Sequence, residues 1–214
     1  MLRLIHDILF KERGLIYRVL SLALYTPLDQ EAQEELRLAV GQLSSITSLQ
    51  NLKDAVNGFR NSWLEAWNMP REKLLEEYTR LFTNDYPELK CPPYETFWVT
   101  GERVIYGPTI KDLEEIYKTA GLEPQPGVKL PIEHVALQLE LMHYLVSSSL
   151  TQEQFLCLQE KMFQNHIQLW GKPYAECLER TARLNCYKAT ALLLRDFINL
   201  EETLFKNHSF CEEA

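Results

Sequence analysis

No run of about 18 apolar residues occurs in this 214-residue chain, so no membrane-spanning helix is expected. At the N-terminus, MLRLIHDILFKERG, the residues His6, Asp7 and Lys11 interrupt the apolar stretch before it could form the core of a secretion signal. The expectation is a soluble protein that stays in the cytoplasm. Its eight glycines form neither G-x-x-x-x-G-K nor G-x-G-x-x-G, which removes the usual backbone cradles for nucleotide phosphates. A G-x-S-x-G nucleophile motif is missing as well. None of the five cysteines (Cys91, Cys157, Cys177, Cys186, Cys211) lies in a C-x-x-C pair. An odd number, several at helical positions, reads as small buried apolar residues kept reduced. Basic residues are few and scattered, 22 against 30 acidic, for a net charge of −8. That balance excludes the basic face that nucleic acid needs and favours a cationic partner.

What the chain does have is helical periodicity on an ordinary composition, 46% hydrophobic and 24% charged. Leu15, Ile16, Val19, Leu20 and Ala23 share one face of a first helix, which Thr26-Pro27 ends. Asp29 is placed to cap a second, with Leu36, Ala39, Val40 and Leu43 inward. After a Ser-rich break come Leu49, Leu52, Val56, Phe59 and Trp63, and beyond Asn68 and Pro70 a stripe of Leu74, Leu75, Tyr78, Leu81 and Phe82. Thr109 is read as the cap of a helix carrying Leu113, Ile116 and Tyr117, with Gly121 closing it in a left-handed conformation. Pro131 is read as opening a helix with Val135, Leu139 and Met142 inward, and Thr151-x-x-Gln154 as a capping box for Phe155, Leu158 and Met162. Gly171-Lys172-Pro173 reads as another break, and Tyr174 to Phe205 as one long or two shorter helices. The expected fold is an all-α, irregular bundle of roughly nine to ten helices without fixed-period repeats.

Three segments depart from that pattern. TNDYPELKCPPYE, between Thr83 and Glu95, holds three prolines and is expected to be irregular. FWVTGERVIYG after it fits either a short hairpin or a helix and loop, with the second favoured. LEPQPGVKL is the natural hinge, dividing a single domain into an N-terminal lobe 1–121, a hinge 122–130 and a C-terminal lobe 131–214.

Few constellations point to chemistry. Glu140-x-x-His143 has di-iron spacing, but no second copy exists, so it reads as helix surface. His134, His143 and the isolated cysteines lack zinc-site spacings. Two places are left over. In Cys91-Pro92-Pro93-Tyr94-Glu95-Thr96-Phe97-Trp98 a double proline holds three aromatic rings, which either plug the core or line a groove for a peptide. In Leu130-Pro131-Ile132-Glu133-His134 a helix-opening carboxylate is satisfied by the helix dipole or accepts a forked arginine, beside an imidazole that the dipole keeps neutral.

In their order these features resemble the TorD/DmsD/NarJ family of redox-enzyme maturation chaperones. The resemblance is carried by Arg18-Val-Leu-Ser-Leu-Ala-Leu-Tyr25-Thr-Pro27, Tyr78-x-x-Leu81-Phe82, Pro92-Pro93-Tyr94-Glu95-Thr96 with Trp98, Tyr106-Gly107, Pro131-Ile132-Glu133-His134 and Phe163-x-x-His166-x-x-x-Trp170. It implies an all-α chaperone, not an enzyme, that binds the twin-arginine signal peptide or apo form of a molybdenum-containing oxidoreductase precursor before export. The peptide-binding positions it implies are Leu81, Phe82, Pro93, Tyr94, Trp98, Gly107, Glu133 and His134. No resident cofactor or metal is expected from the residues, and the resemblance implies GTP binding in some members, without assignable residues here, and a tendency of some members to form homodimers by lobe exchange. One departure is Glu133 where the family usually has Asp, which moves the carboxylate by about one carbon–carbon bond. Two other readings stay open: a NarJ-like chaperone that binds the body of a non-exported client, and a small metal- or nucleotide-dependent enzyme.

Overall fold

The computed structural model describes residues 2–104, 107–123 and 130–211, with side chains from residue 9 onward. Ten α-helices run through the described residues: α1 Leu2–Leu24, α2 Gln30–Gln42, α3 Lys53–Ala66, α4 Arg71–Tyr78, α5 Glu95–Thr100, α6 Ile110–Thr119, α7 Val135–Ser148, α8 Gln154–Met162, α9 Gln168–Thr181 and α10 Asn185–Asn207. Two π-helical turns extend α4 and join α8 to α9, at Thr79–Thr83 and Phe163–Ile167. None of these helices is long and apolar enough to cross a membrane. The hinge read in LEPQPGVKL falls largely on residues 124–129, and Tyr106 is also outside the described residues.

Most residues of the stripes read from the sequence are buried, with Leu15, Leu75 and Tyr117 half-buried. Leu36, Val40, Leu52, Val56, Phe59, Trp63, Leu113, Leu139, Met142 and Met162 all belong to one hydrophobic core, each contributing about 1.5–3 kcal/mol by leaving water. Helices from either side of the 122–130 segment share that core. α1 packs along α7, and α10 lies against both α9 and α3. One buried ion pair ties the two ends of the chain together: Arg13 on α1 donates from Nε and Nη2 to the Glu201 carboxylate on α10, both at 2.7 Å, and the Tyr17 hydroxyl donates to the same group. Such a fork is costly to break from one side, because the remaining charge is sealed from water.

Local chemistry accounts for where expectation and structure agree. The Asp29 side chain accepts from Ala32 N at 3.1 Å and caps α2. Gly121, with φ of 72°, closes α6 in the left-handed region that favours glycine. The segment after Tyr94 is helix α5 rather than a hairpin.

Other expectations are corrected. α7 starts at Val135, not at Pro131, because the His134 ring takes the capping position. Thr151 and Gln154 do not form a capping box; the Thr151 hydroxyl turns back to the Ser148 carbonyl, and α8 starts at Gln154. Thr109 precedes α6 without capping it through its side chain. The break at Gly171-Lys172-Pro173 does not occur either, since α9 runs through Pro173. Burying Trp170, Tyr174 and Leu178 along that helix outweighs the roughly 3 kcal/mol that an internal proline costs.

The cysteines depart most. Cys91 is bonded to Cys177 on α9, and Cys157 on α8 to Cys211, leaving only Cys186 free and buried. Sequence separations of 86 and 54 residues give no local signal for such pairs, so the reduced thiols expected from spacing are replaced by two long-range links.

Candidate functional site

The proline-aromatic segment and the Glu133-His134 turn, about 40 residues apart in sequence, meet in the fold. Val135 N donates to the Pro93 carbonyl at 3.0 Å, and Glu95 N to the Glu133 carbonyl at 3.1 Å. Tyr94 and His134 thereby form an isolated antiparallel bridge, and their rings meet edge to face at 5.5 Å. The double proline suits this crossing because its rigid backbone offers acceptors without needing donors of its own. His134 Nδ1 accepts from Ala136 N at 3.2 Å, which caps α7. Burial pushes the imidazole down to about 3, so the ring is neutral and keeps the lone pair that the cap requires.

Glu133 is fully buried, one residue ahead of that cap. Its Oε2 accepts from Thr96 N at 3.0 Å and from the Thr96 hydroxyl. The same Thr96 oxygen accepts from Gly107 N at 3.0 Å. A Cβ on Gly107 would overlap the Thr96 side chain, so glycine is required there by close approach. In this conformation Glu133 is not presented to solvent as an arginine receptor. It fixes the start of α5.

A second polar chain, not assigned from sequence, lies behind these contacts. Gln138 Nε2 donates to Glu95 Oε2 at 2.6 Å and to the Glu133 carbonyl, while its own oxygen accepts from Trp170 Nε1 at 2.7 Å. His166 Nδ1 lies 2.9 Å from Glu95 Oε1, and its Nε2 lies 3.0 Å from Asp112 Oδ2. Glu95, Gln138, His166 and Trp170 are fully buried, whereas the Asp112 side chain is 47% exposed and also accepts from Asn165. Five elements thus converge through one hydrogen-bonded path that ends at the surface on a carboxylate. The π-helical turn at Phe163–Ile167 contains His166, and such turns recur at functional sites. Glu95, His166 and Trp170 had one sequence signal, their place in the motifs that carry the family resemblance; Asp112 and Gln138 had none.

The aromatic members divide by exposure. Tyr94, Phe97 and Trp98 are half-buried. Trp98 Nε1 donates to the Pro92 carbonyl at 2.8 Å, and its ring rests on Tyr174 at 5.7 Å, which in turn meets Trp170 at 5.8 Å. Phe97 meets Trp98 at 5.0 Å, and the Arg103 guanidinium lies over the Phe97 ring at 5.1 Å from its centroid. By contrast Leu81, Phe82 and Pro93 are buried. Phe82 packs against Tyr78 and Tyr187 inside the core, at 5.1 and 5.5 Å. Tyr78 links it to the crossing: its hydroxyl is pushed up to about 12 by burial, with Tyr94 and Tyr25 adding to the shift. Among the eight expected site residues, then, Pro93, Tyr94, Glu133 and His134 touch directly, Trp98 and Gly107 join through Pro92 and Thr96, and Leu81 and Phe82 support from within.

Among the described residues no group of three or more His, Cys, Asp or Glu is assembled to hold a metal ion. Glu140 instead bonds Arg18, and His143 Nδ1 faces the Gly14 carbonyl.

A family model described as nitrate reductase delta subunit matches residues 29–176, a span that contains every residue of the crossing and of the buried polar chain. The Tat proofreading chaperone DmsD of Haemophilus influenzae is 24% identical over 160 residues, 66% of this chain and 75% of that one. Chaperone protein TorD of Vibrio parahaemolyticus is 22% identical over 169 residues, covering 74% and 77%. Among solved structures, a redox enzyme maturation protein from Archaeoglobus fulgidus superposes with a TM-score of 0.53 at 21% identity, over 88% of this chain and 93% of that one. That likeness extends the shared helical fold to nearly the whole chain.

Proposed function

The chain belongs to the nitrate reductase delta subunit family, and from that premise we propose that it is a chaperone of redox-enzyme maturation, acting in the cytoplasm on the precursor of a molybdenum-containing oxidoreductase. Its relatives named as chaperones, DmsD and TorD, support this reading. The apolar part of the precursor's twin-arginine leader lies against the half-buried rings of Tyr94, Phe97 and Trp98. One observation carries the assignment: of the whole crossing, these rings are the part left open, while Glu133 and Thr96 are buried and bonded to each other and the buried His134 ring is bonded to the first turn of α7. Rigid aromatic edges give contact area at small entropic cost. The leader's guanidinium groups are received by surface carboxylates, with Asp112 foremost because His166 and Asn165 hold it in place while half of it faces water.

Titration of a labelled twin-arginine leader peptide tests this directly. Tyr94→Ala with Trp98→Ala should weaken binding by roughly tenfold or more, in a protein whose helix content is unchanged. Asp112→Asn should weaken it less and flatten its salt dependence. Unchanged affinity in the folded double variant would sink the aromatic groove.

The description of the family as a reductase delta subunit favours a second reading, in which the mature body of the client is held rather than its leader. Binding of a leaderless client as tightly as the full precursor would select that reading.

A further inference from the structure

On the opposite side of the sequence from the crossing, α2 and the α3–α4 turn enclose a cavity of about 230 Å³. Met69, Leu74 and Pro27 supply apolar wall, and Leu28, 61% exposed, stands at the adjoining turn. Its polar lining holds two cations, Arg37 and Arg71, beside the neutral amides of Gln30 and Gln33 and one carboxylate. The Arg37 guanidinium lies 4.6 Å over the Trp67 ring and has no carboxylate within ion-pair distance among the described residues. Arg71 shares one nitrogen between the Pro27 and Leu28 carbonyls, at 3.2 and 3.3 Å, which positions its charge without neutralising it. Trp67 Nε1 is buried and has no hydrogen-bond partner. Leaving such a donor unmatched is costly, and native structures contain few. Glu34 is the carboxylate on the lining, and it pairs with neither cation.

Two unneutralised guanidinium groups beside an unmatched indole N–H are out of character for a chain of net charge −8. Their complement is a carboxylate, and the apolar wall calls for a hydrophobic neighbour on the same ligand. The volume falls below the roughly 300–1,000 Å³ of cofactor pockets, and one face of Trp67 is already covered by Arg37, so a nucleotide is a poor fit. We propose that this cavity is a second peptide-docking site that takes an acidic side chain flanked by apolar residues, from the mature part of the client. The proposal rests on the chaperone reading for the source of the peptide, but it uses none of the residues of the crossing.

The probe is a fluorescent peptide of alternating leucine and glutamate, with its glutamine counterpart as control. In ¹H–¹⁵N spectra the indole resonance that disappears in Trp67→Phe should shift on titration with the glutamate peptide and stay still with the control. Arg37→Gln and Arg71→Gln should each weaken binding roughly tenfold, while affinity for the twin-arginine leader stays unchanged. Equal binding of the two peptides, or a stationary Trp67 resonance, overturns the site even if leader binding is intact. Concentration-dependent dimers lost in Arg37→Gln would also overturn it, by assigning the cavity to a second copy of the chain. Loss of leader binding with the glutamate peptide still bound would strike the leader reading alone.

Discussion

Replacing Glu133 separates a structural carboxylate from a ligand-binding one. Its Oε2 takes two donors from Thr96, the backbone N–H at 3.0 Å and the hydroxyl, in a place where Glu133 and Thr96 are 0% and 1% exposed. Glu133→Ala leaves both donors without that acceptor and opens a void. An unmatched buried donor costs about 1–3 kcal/mol. The hydroxyl can rotate towards another acceptor, while the backbone N–H cannot, so the net loss should be about 2–4 kcal/mol. For a chain of this length each kcal/mol moves the melting temperature by about 2–4 °C, giving a drop of roughly 5–15 °C. Glu133→Gln keeps an oxygen at the same reach and should cost about 1 kcal/mol or less. Urea unfolding followed by tryptophan fluorescence reads both variants, and a cycle with Thr96→Val should show that the two losses are not additive. If Glu133→Ala unfolds within about 0.5 kcal/mol of the parent yet loses leader binding, the carboxylate is kept for the ligand and the argument from burial is wrong.

Acidification tests the His134 cap. The unfolded imidazole takes up a proton near its ordinary value of about 6.5, whereas the folded one, held down to about 3, does not. Stability on this account falls as the pH drops through the unfolded value, by about 2 kcal/mol between pH 7 and pH 5. His134→Asn keeps a capping acceptor without the titration, so its urea midpoint should fall less over that interval; equal falls would refute the assignment. Gly107→Ala should destabilise and disturb Thr96, read as faster amide exchange at the start of α5, because the new methyl overlaps the Thr96 side chain; an unchanged exchange pattern would show that the loop yields freely. Non-reducing peptide mapping should find Cys91 linked to Cys177 and Cys157 to Cys211, with Cys186 unlabelled by iodoacetamide at pH 8 until the chain unfolds. Its thiol is pushed up to about 12 by burial, so rapid native labelling would contradict its placement.

Helix positions were legible because their signals are local. The stripe from Leu49 to Trp63 repeats within one turn of its neighbours, and the Asp29 cap reaches only three residues ahead. Signals failed where a distant partner decides the outcome. Pro131 was a plausible first turn until His134, drawn into the core beside Tyr94, supplied a cap. Pro173 was a plausible break until the aromatic stripe around it was buried. The π-helical turns insert a residue without changing the hydrophobic pattern enough to be noticed. Neither disulfide leaves a spacing signature.

The family-like motif was legible as a set of residues, but its division of labour was not. Glu133, His134, Pro93 and Gly107 are held by bonds and close contacts within the protein, so substitution there changes the frame before it changes any ligand. The longer arm of Glu133 still allows its carboxylate to meet Thr96 N and the hydroxyl together, so the added methylene is compatible with a structural role. Tyr94, Phe97 and Trp98 make few comparable commitments at their open edges. A relative could therefore keep the buried motif and take a different client by varying those rings and the Asp112 rim. It follows that the motif identifies the frame, while client specificity should be sought in its half-exposed neighbours.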